Sequence, residues 1–120
     1  MIRKTLLSLA ALSALTACQS PAQFEQKPPT WTAVYQAHWQ AMANCIVARS
    51  QGPLQTVTPT FSAGRANVVV TTPTGSVTGS FDIRQIQGNA TEVAYRSVFG
   101  GPTSDAGGGA RDIADRCARP

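Results

Sequence analysis

At 120 residues, 42% hydrophobic and 13% charged, the chain has the length and composition of one small domain. Its formal net charge of +4 is concentrated at the start: beyond Arg3 and Lys4, eight cations face six acids, leaving +2. No arginine cluster interleaves with the aromatic residues, which disfavours nucleic-acid binding.

Residues 1–17 read MIRKTLLSLAALSALTA, with Arg3 and Lys4 ahead of an uncharged run of twelve residues from Leu6 to Ala17. A basic start followed by an apolar run of this length reads as a secretion signal. A membrane span needs roughly 20 apolar residues, and a buried surface helix would show a polar face, so neither fits. The sequence Leu15-Thr16-Ala17-Cys18 closes the run: an aliphatic residue, two small residues and a cysteine.

These residues resemble the lipobox of bacterial lipoproteins. The resemblance implies that the Cys18 thiol carries a diacylglycerol and that a dedicated peptidase removes residues 1–17. The new N-terminus would then be acylated too. Two or three acyl chains hold a protein stably on a bilayer, where one does not. Gln19 stands where an aspartate would retain such a protein at the inner membrane of enteric-type bacteria, so the resemblance further implies outer-membrane sorting. The side facing the periplasm is the expected location, with surface display as the alternative.

Gln19 to Pro29 (QSPAQFEQKPP) has no apolar period and three prolines, so residues 18–29 read as a lipidated N-terminus and solvated tether. Residues 30–120 form the expected single domain. With Cys18 committed to lipid, Cys45 and Cys117 remain in a compartment that permits disulfides. Their bridge is expected, against the alternative of two unpaired buried thiols. Closing so long a loop stabilises by roughly 4 kcal/mol in the chain-entropy picture. His38 is the sole histidine and no CxxC or HxxxH spacing occurs, so neither a metal site nor a cofactor is expected.

Residues 30–51 (TWTAVYQAHWQAMANCIVARSQ) read as a helix. Trp31, Tyr35, His38, Met42, Cys45 and Arg49 recur at three- and four-residue steps, Thr30 or Thr32 offers a cap, and Gly52-Pro53 offers a left-handed stop. Leu54 to Phe61 alternates threonines and reads as an edge strand, because Pro59 cannot sit in a central one. Ala66 to Thr72, Ser76 to Ile86 and Ala90 to Phe99 follow as strands, turned at Pro73-Thr74-Gly75 and Gln87-Gly88-Asn89.

The last hairpin permits a register. A three-residue loop pairs Ile86 with Ala90, which sets Arg84 opposite Glu92, Ile83 opposite Val93 and Phe81 opposite Tyr95. Apolar pairs then share one face, while Arg84, Glu92 and Arg96 point to the other. After the glycine-rich stretch 100–109, Ser104 or Asp105 is expected to cap a helix through Arg119. Ala110, Ile113, Ala114 and Cys117 would form its apolar face, with Arg111–Asp115, Asp112–Arg116 and Asp115–Arg119 on the solvated face. The expected fold is α+β: two helices on one face of a three- to four-stranded antiparallel sheet, in the order α-(β)-β-β-β-α, with the helices joined by the disulfide.

No constellation for chemistry stands out. His38 with Asp82 or Asp105 would be the only base, and Ser62, Ser76, Ser80, Ser97 and Ser104 lack a G-x-S-x-G context. The glycine-rich stretch lacks a lysine and contains Asp105, which disfavours a phosphate site. His38 reads as a helix residue packed at the sheet margin or partly exposed, and Trp31, Tyr35 and Trp39 read as core, against the alternative of an exposed binding patch at the membrane-proximal end. The chain is therefore expected to be a non-enzymatic interaction module, membrane-attached through its lipid and partnered by another envelope protein, with an exposed sheet edge at Leu54–Phe61 or Ala66–Thr72 as the place for a partner strand. The alternatives are a binding module for a small or lipidic ligand, held between helices and sheet, and, last, a hydrolase using His38. The two-helices-on-a-sheet outline is similar to accessory lipoproteins of outer-membrane and lipopolysaccharide assembly, in architecture alone and without a shared motif.

Overall fold

The computed structural model describes residues 26–99 and 108–119. The elements are β1 (Trp31–Tyr35), α1 (Trp39–Ser50), β2 (Thr56–Ser62), β3 (Arg65–Thr71), β4 (Val77–Gln85), β5 (Thr91–Ser97) and α2 (Gly108–Cys117). The strands form one antiparallel sheet in the order β1-β5-β4-β3-β2. Strands β2 to β5 run as a meander, and α1 carries the chain from the β1 edge to the β2 edge.

The β4–β5 register is the one that the alternating pattern predicts: Phe81 faces Tyr95, Ile83 faces Val93 and Arg84 faces Glu92. The loop closes through Ile86 N–H to Ala90 O at 3.1 Å. Extended across the sheet, the register puts Ala66, Val68 and Val70 of β3 beside Ile83, Phe81 and Gly79 of β4. Met42, Ala43 and Ile46 of α1 and Ala114 of α2 close over them to complete the buried core. Both helices thus lie on one face. Cys45 and Cys117 join them by a disulfide, with their Cα atoms 5.7 Å apart.

Gly79 is required by a close approach: a Cβ there would meet the Tyr95 ring, 2.8 Å from its Cζ. The aromatic ring occupies the space that a side chain at 79 would take. Gly64 closes the β2–β3 hairpin with φ of 70°, a left-handed conformation costly for residues with a side chain.

Three expectations are corrected. The sheet has five strands, and the order is β-α-β-β-β-β-α, because the first part of the expected helix is β1. Trp31-Thr32-Ala33-Val34-Tyr35 alternates inward aromatic and small residues with exposed β-branched ones, and β5 provides the hydrogen-bonding partner. The helix therefore starts at Trp39 and is capped by His38, whose Nδ1 accepts from Gln40 N–H at 3.2 Å. Thr30 instead accepts from Ser97 N–H at 3.0 Å through its hydroxyl. At the other end of α1, Gly52 is not left-handed. Gln51 is extended (φ −71°, ψ 144°), and the Gln55 side-chain amide donates to the Ser50 carbonyl, satisfying an oxygen left free by the helix end. Finally, Ala66 to Thr72 lies in an interior strand between β2 and β4, so it offers no free edge. The edges are β2, which contains Pro59 as expected, and β1.

Helix α2 begins at Gly108; Ser104 and Asp105, the expected caps, lie outside the described residues, as do Cys18 and residues 1–25. The Arg111–Asp115 and Asp112–Arg116 ion pairs form as the four-residue spacing predicts, at 3.2 and 2.9 Å.

Candidate functional site

The face of the sheet turned away from the helices is made by the residues that alternate with the core. Thr56, Thr58, Thr60 and Ser62 come from β2; Arg65, Asn67 and Val69 from β3; Asp82 and Arg84 from β4; Glu92, Ala94 and Arg96 from β5, whereas Ser80 of β4, on the same side, is buried. Threonine and serine hydroxyls suit such a face because β-branched and small polar side chains tolerate extended backbone and still meet water. Arg65 grips Asp82 with two bonds, Nε to Oδ1 at 2.9 Å and Nη2 to Oδ2 at 2.6 Å. Arg84 and Glu92 pair across β4 and β5 at 2.8 Å. Each arginine stays about half exposed, so these pairs fix side-chain positions more than they stabilise the fold.

A shallow open groove of about 350 Å³ crosses this face, lined by Thr60, Ser62, Arg65, Asn67, Asp82 and Arg96. The N-terminal tether meets the sheet at the far side of Arg96. The Arg96 Nε donates to the Lys27 carbonyl at 2.8 Å, and Thr30 N–H donates to Tyr95 O at 2.6 Å. The tether is therefore fastened to β5 before β1 begins. The groove's chemistry is hydroxyl, amide, guanidinium and carboxylate, which suits hydrogen-bonded recognition of a polar surface.

A second polar cluster sits at the β1 edge. Tyr35 donates its hydroxyl to Asp115 Oδ1 at 2.7 Å, and Arg111 Nε donates to the same oxygen at 3.2 Å. The Arg111 guanidinium lies over the Trp31 ring at 5.3 Å from its centroid, and Trp31 in turn stacks on Tyr95 at 5.7 Å. Burial, then the bond to Asp115, pushes the Tyr35 hydroxyl up to about 12. That same bond, with Arg111 beside it, holds the Asp115 carboxyl below the usual carboxylate range. This cluster ties α2 to β1. The sequence showed the Arg111–Asp115 spacing but not Tyr35, which is eighty residues away in the chain.

The residues weighed as catalytic are not assembled. His38 is exposed at the start of α1 with its Nδ1 accepting from Gln40, whereas Asp82 is on the opposite face of the sheet and held by Arg65. Ser62 and Ser76 are exposed, and Ser80 and Ser97 are buried in strands. Trp31, Tyr35 and Trp39 are half-buried and packed against the core. Between helices and sheet, where a small or lipidic ligand was the alternative, Met42, Ile46, Phe81 and Ile83 occupy the space, fully buried against one another. Among the described residues no cluster of three or more histidines, cysteines or acids is placed to hold a metal ion. No protein-family model and no curated protein matches this sequence, so any functional reading rests on its own residues.

Proposed function

We propose that this protein is a lipid-anchored, non-enzymatic interaction module of the bacterial envelope, held at the periplasmic face of the outer membrane through Cys18. The observation that carries the reading is the asymmetry of the sheet. One face is filled by two helices and a disulfide, and the other presents ordered polar side chains around an open groove. A partner that docks on that face meets hydroxyl groups together with the cross-strand ion pairs Arg65–Asp82 and Arg84–Glu92. That mixture of paired charges and hydroxyl groups favours a polar partner surface. The anchor half of the reading is supported by LTAC and by the proline-containing tether that follows it.

Two experiments test the two halves. Replacing Cys18 with alanine is expected to release the protein from the membrane fraction or to leave an uncut precursor. Normal processing with unchanged attachment rejects the anchor. For the partner, the lipidated protein is purified from detergent-solubilised envelopes with a photo-cross-linker at Thr60 in the groove. One stoichiometric protein cross-linked there supports the reading. A co-purifying lipid or small molecule in its place favours the ligand-binding alternative.

A further inference from the structure

The two ends of the sheet differ as sharply as its two faces. Residues 51–55, the turn 72–76 and residues 98–99 lie at one end, because Thr56 pairs with Thr71, Thr71 with Val77 and Gly79 with Ser97. The N-terminal tether enters at the same end: Arg96 Nε donates to the Lys27 carbonyl, and the Lys27 ammonium donates to Ser97 O at 3.4 Å. Those three segments contain no charged residue. Near the opposite end, Arg65, Arg84 and Glu92 stand in one charged row across β3, β4 and β5.

The two most exposed large apolar side chains among the described residues, Leu54 at 78% and Phe99 at 75%, both belong to the uncharged end. Their backbones are held in place. Leu54 is in a turn closed by Gln55 N–H to Gly52 O at 3.4 Å, and the Gln55 side-chain amide braces that turn on the Ser50 carbonyl. Phe99 N–H donates to Ser97 Oγ at 3.0 Å, next to the bond from Val98 N–H to Thr78 O at 3.1 Å. The core gains nothing from side chains so placed, and water disfavours their exposure. Arg49, in the last turn of α1, is exposed where that helix hands the chain to residues 51–55.

We propose that this end of the domain rests on the bilayer, with Leu54 and Phe99 entering the boundary between headgroups and acyl chains and Arg49 meeting headgroup phosphate. The inference rests on the lipid anchor at Cys18 and gives the anchored domain an orientation. Covalent reach selects the bilayer as the occupant. Seven residues separate Cys18 from Gln26, so the tether spans at most about 29 Å. The opposite end lies about 20 Å further along β5, from Ser97 to Thr91. Setting that end on the membrane would use most of the tether and would desolvate the row of Arg65, Arg84 and Glu92. Setting the near end down uses little of the reach and buries two apolar side chains beside the acyl chains, whose contributions to membrane binding then add. A cation at the margin adds attraction to anionic lipid.

The test uses the lipidated protein purified from envelopes and reconstituted in vesicles of phosphatidylethanolamine and phosphatidylglycerol that contain a phospholipid with a photoactivatable acyl chain. After illumination, peptide masses locate the lipid adducts. Adducts on residues 51–55 and 98–99 should exceed those on residues 62–65 and 86–90 several-fold. Leu54→Ser combined with Phe99→Ser should lower the adducts at the near end several-fold and leave the denaturant midpoint at its wild-type value, since neither side chain is buried. The mass of the Cys18 peptide in the same sample reports the anchor separately. A lipidated chain whose adducts are spread evenly over both ends, gather at residues 86–90, or persist in the double variant overturns the orientation alone. A fall in the midpoint of that variant overturns it as well, because the two side chains would then serve the fold. A chain without lipid on Cys18 overturns the anchor and the orientation together.

Discussion

On the helix-covered face of β4 and β5, Phe81, Ile83 and Val93 are at most 1% exposed, whereas the residues between them, Asp82, Arg84 and Glu92, make ion pairs at the water boundary. The two faces come from the same strands and differ only by the parity of the position. The covered face carries the stability, because each apolar side chain there leaves water and meets close-packed neighbours. The open face contributes little to folding and is correspondingly free to carry specificity. That division is why the binding proposal is placed on the arginine and threonine side.

The largest expected effect breaks the covered face. Phe81→Ala removes a fully buried ring that contacts Trp31 and Tyr95, at centroid distances of 6.4 and 4.9 Å. Lost transfer energy and the residual cavity should cost about 3–5 kcal/mol, read as a fall in the denaturant midpoint. A cost under about 1 kcal/mol would mean that the assignment of the two faces is reversed.

Next comes the disulfide that holds the two helices on that face. Replacing Cys45 and Cys117 by alanine opens a loop spanning 72 positions and should cost about 2–4 kcal/mol. Alkylation and mass measurement of the oxidised, folded wild type checks the bridge itself: no thiol at either position should react until reductant is added.

A smaller effect sharpens the comparison at the sheet margin, where covered and open surfaces meet. Tyr35→Phe removes the donor to Asp115 and should cost about 1 kcal/mol near neutral pH. The Tyr35 pKa rises from 10.0 to about 12 on folding, so its share of stability is whole below pH 10 and fades as pH climbs through 12. Asp115 works in the opposite sense: its folded pKa lies below 3.8, so its contribution is present above that value and is lost as pH falls through the folded one. The stability difference between wild type and Tyr35→Phe should thus be flat between about pH 5 and 9 and shrink on both sides. A difference that grows above about pH 10 contradicts the hydrogen bond. Spectrophotometric titration should also show both tyrosines ionising above their ordinary value, Tyr95 because burial raises it.

The smallest effect belongs to the open face. Glu92→Ala breaks the exposed pair with Arg84 and should shift stability by about 0.5 kcal/mol, several-fold less than Phe81→Ala. Two substitutions on one hairpin with such different costs measure the parity of the strand directly.

Local patterns made much of the fold legible. The period-two alternation from Phe81 to Tyr95, together with a three-residue turn, determined a register and a face, because both strands had to bury their apolar residues at once. Pro59 marked an edge, since it cannot donate to two neighbours. The cysteine pairing followed from a count of two. The LTAC motif supplied an expectation about the anchor, which lies outside the described residues.

What the chain's own pattern left undecided was position and partner. Trp31, Tyr35, His38 and Met42 fit a helical spacing as well as Trp31, Ala33 and Tyr35 fit a strand. The choice depends on an unpaired side of β5, some sixty residues later, and only the assembled sheet provides it. Ala66 to Thr72 is recognisable as a strand, but whether it lies at an edge or inside depends on how many neighbours the rest of the chain supplies. The Tyr35–Asp115 bond and the groove beneath Arg65 and Arg96 likewise join side chains from distant segments. Periodicity is set by a residue's immediate neighbours, whereas pairing, edges and grooves are set by contacts that close only when the whole sheet is formed.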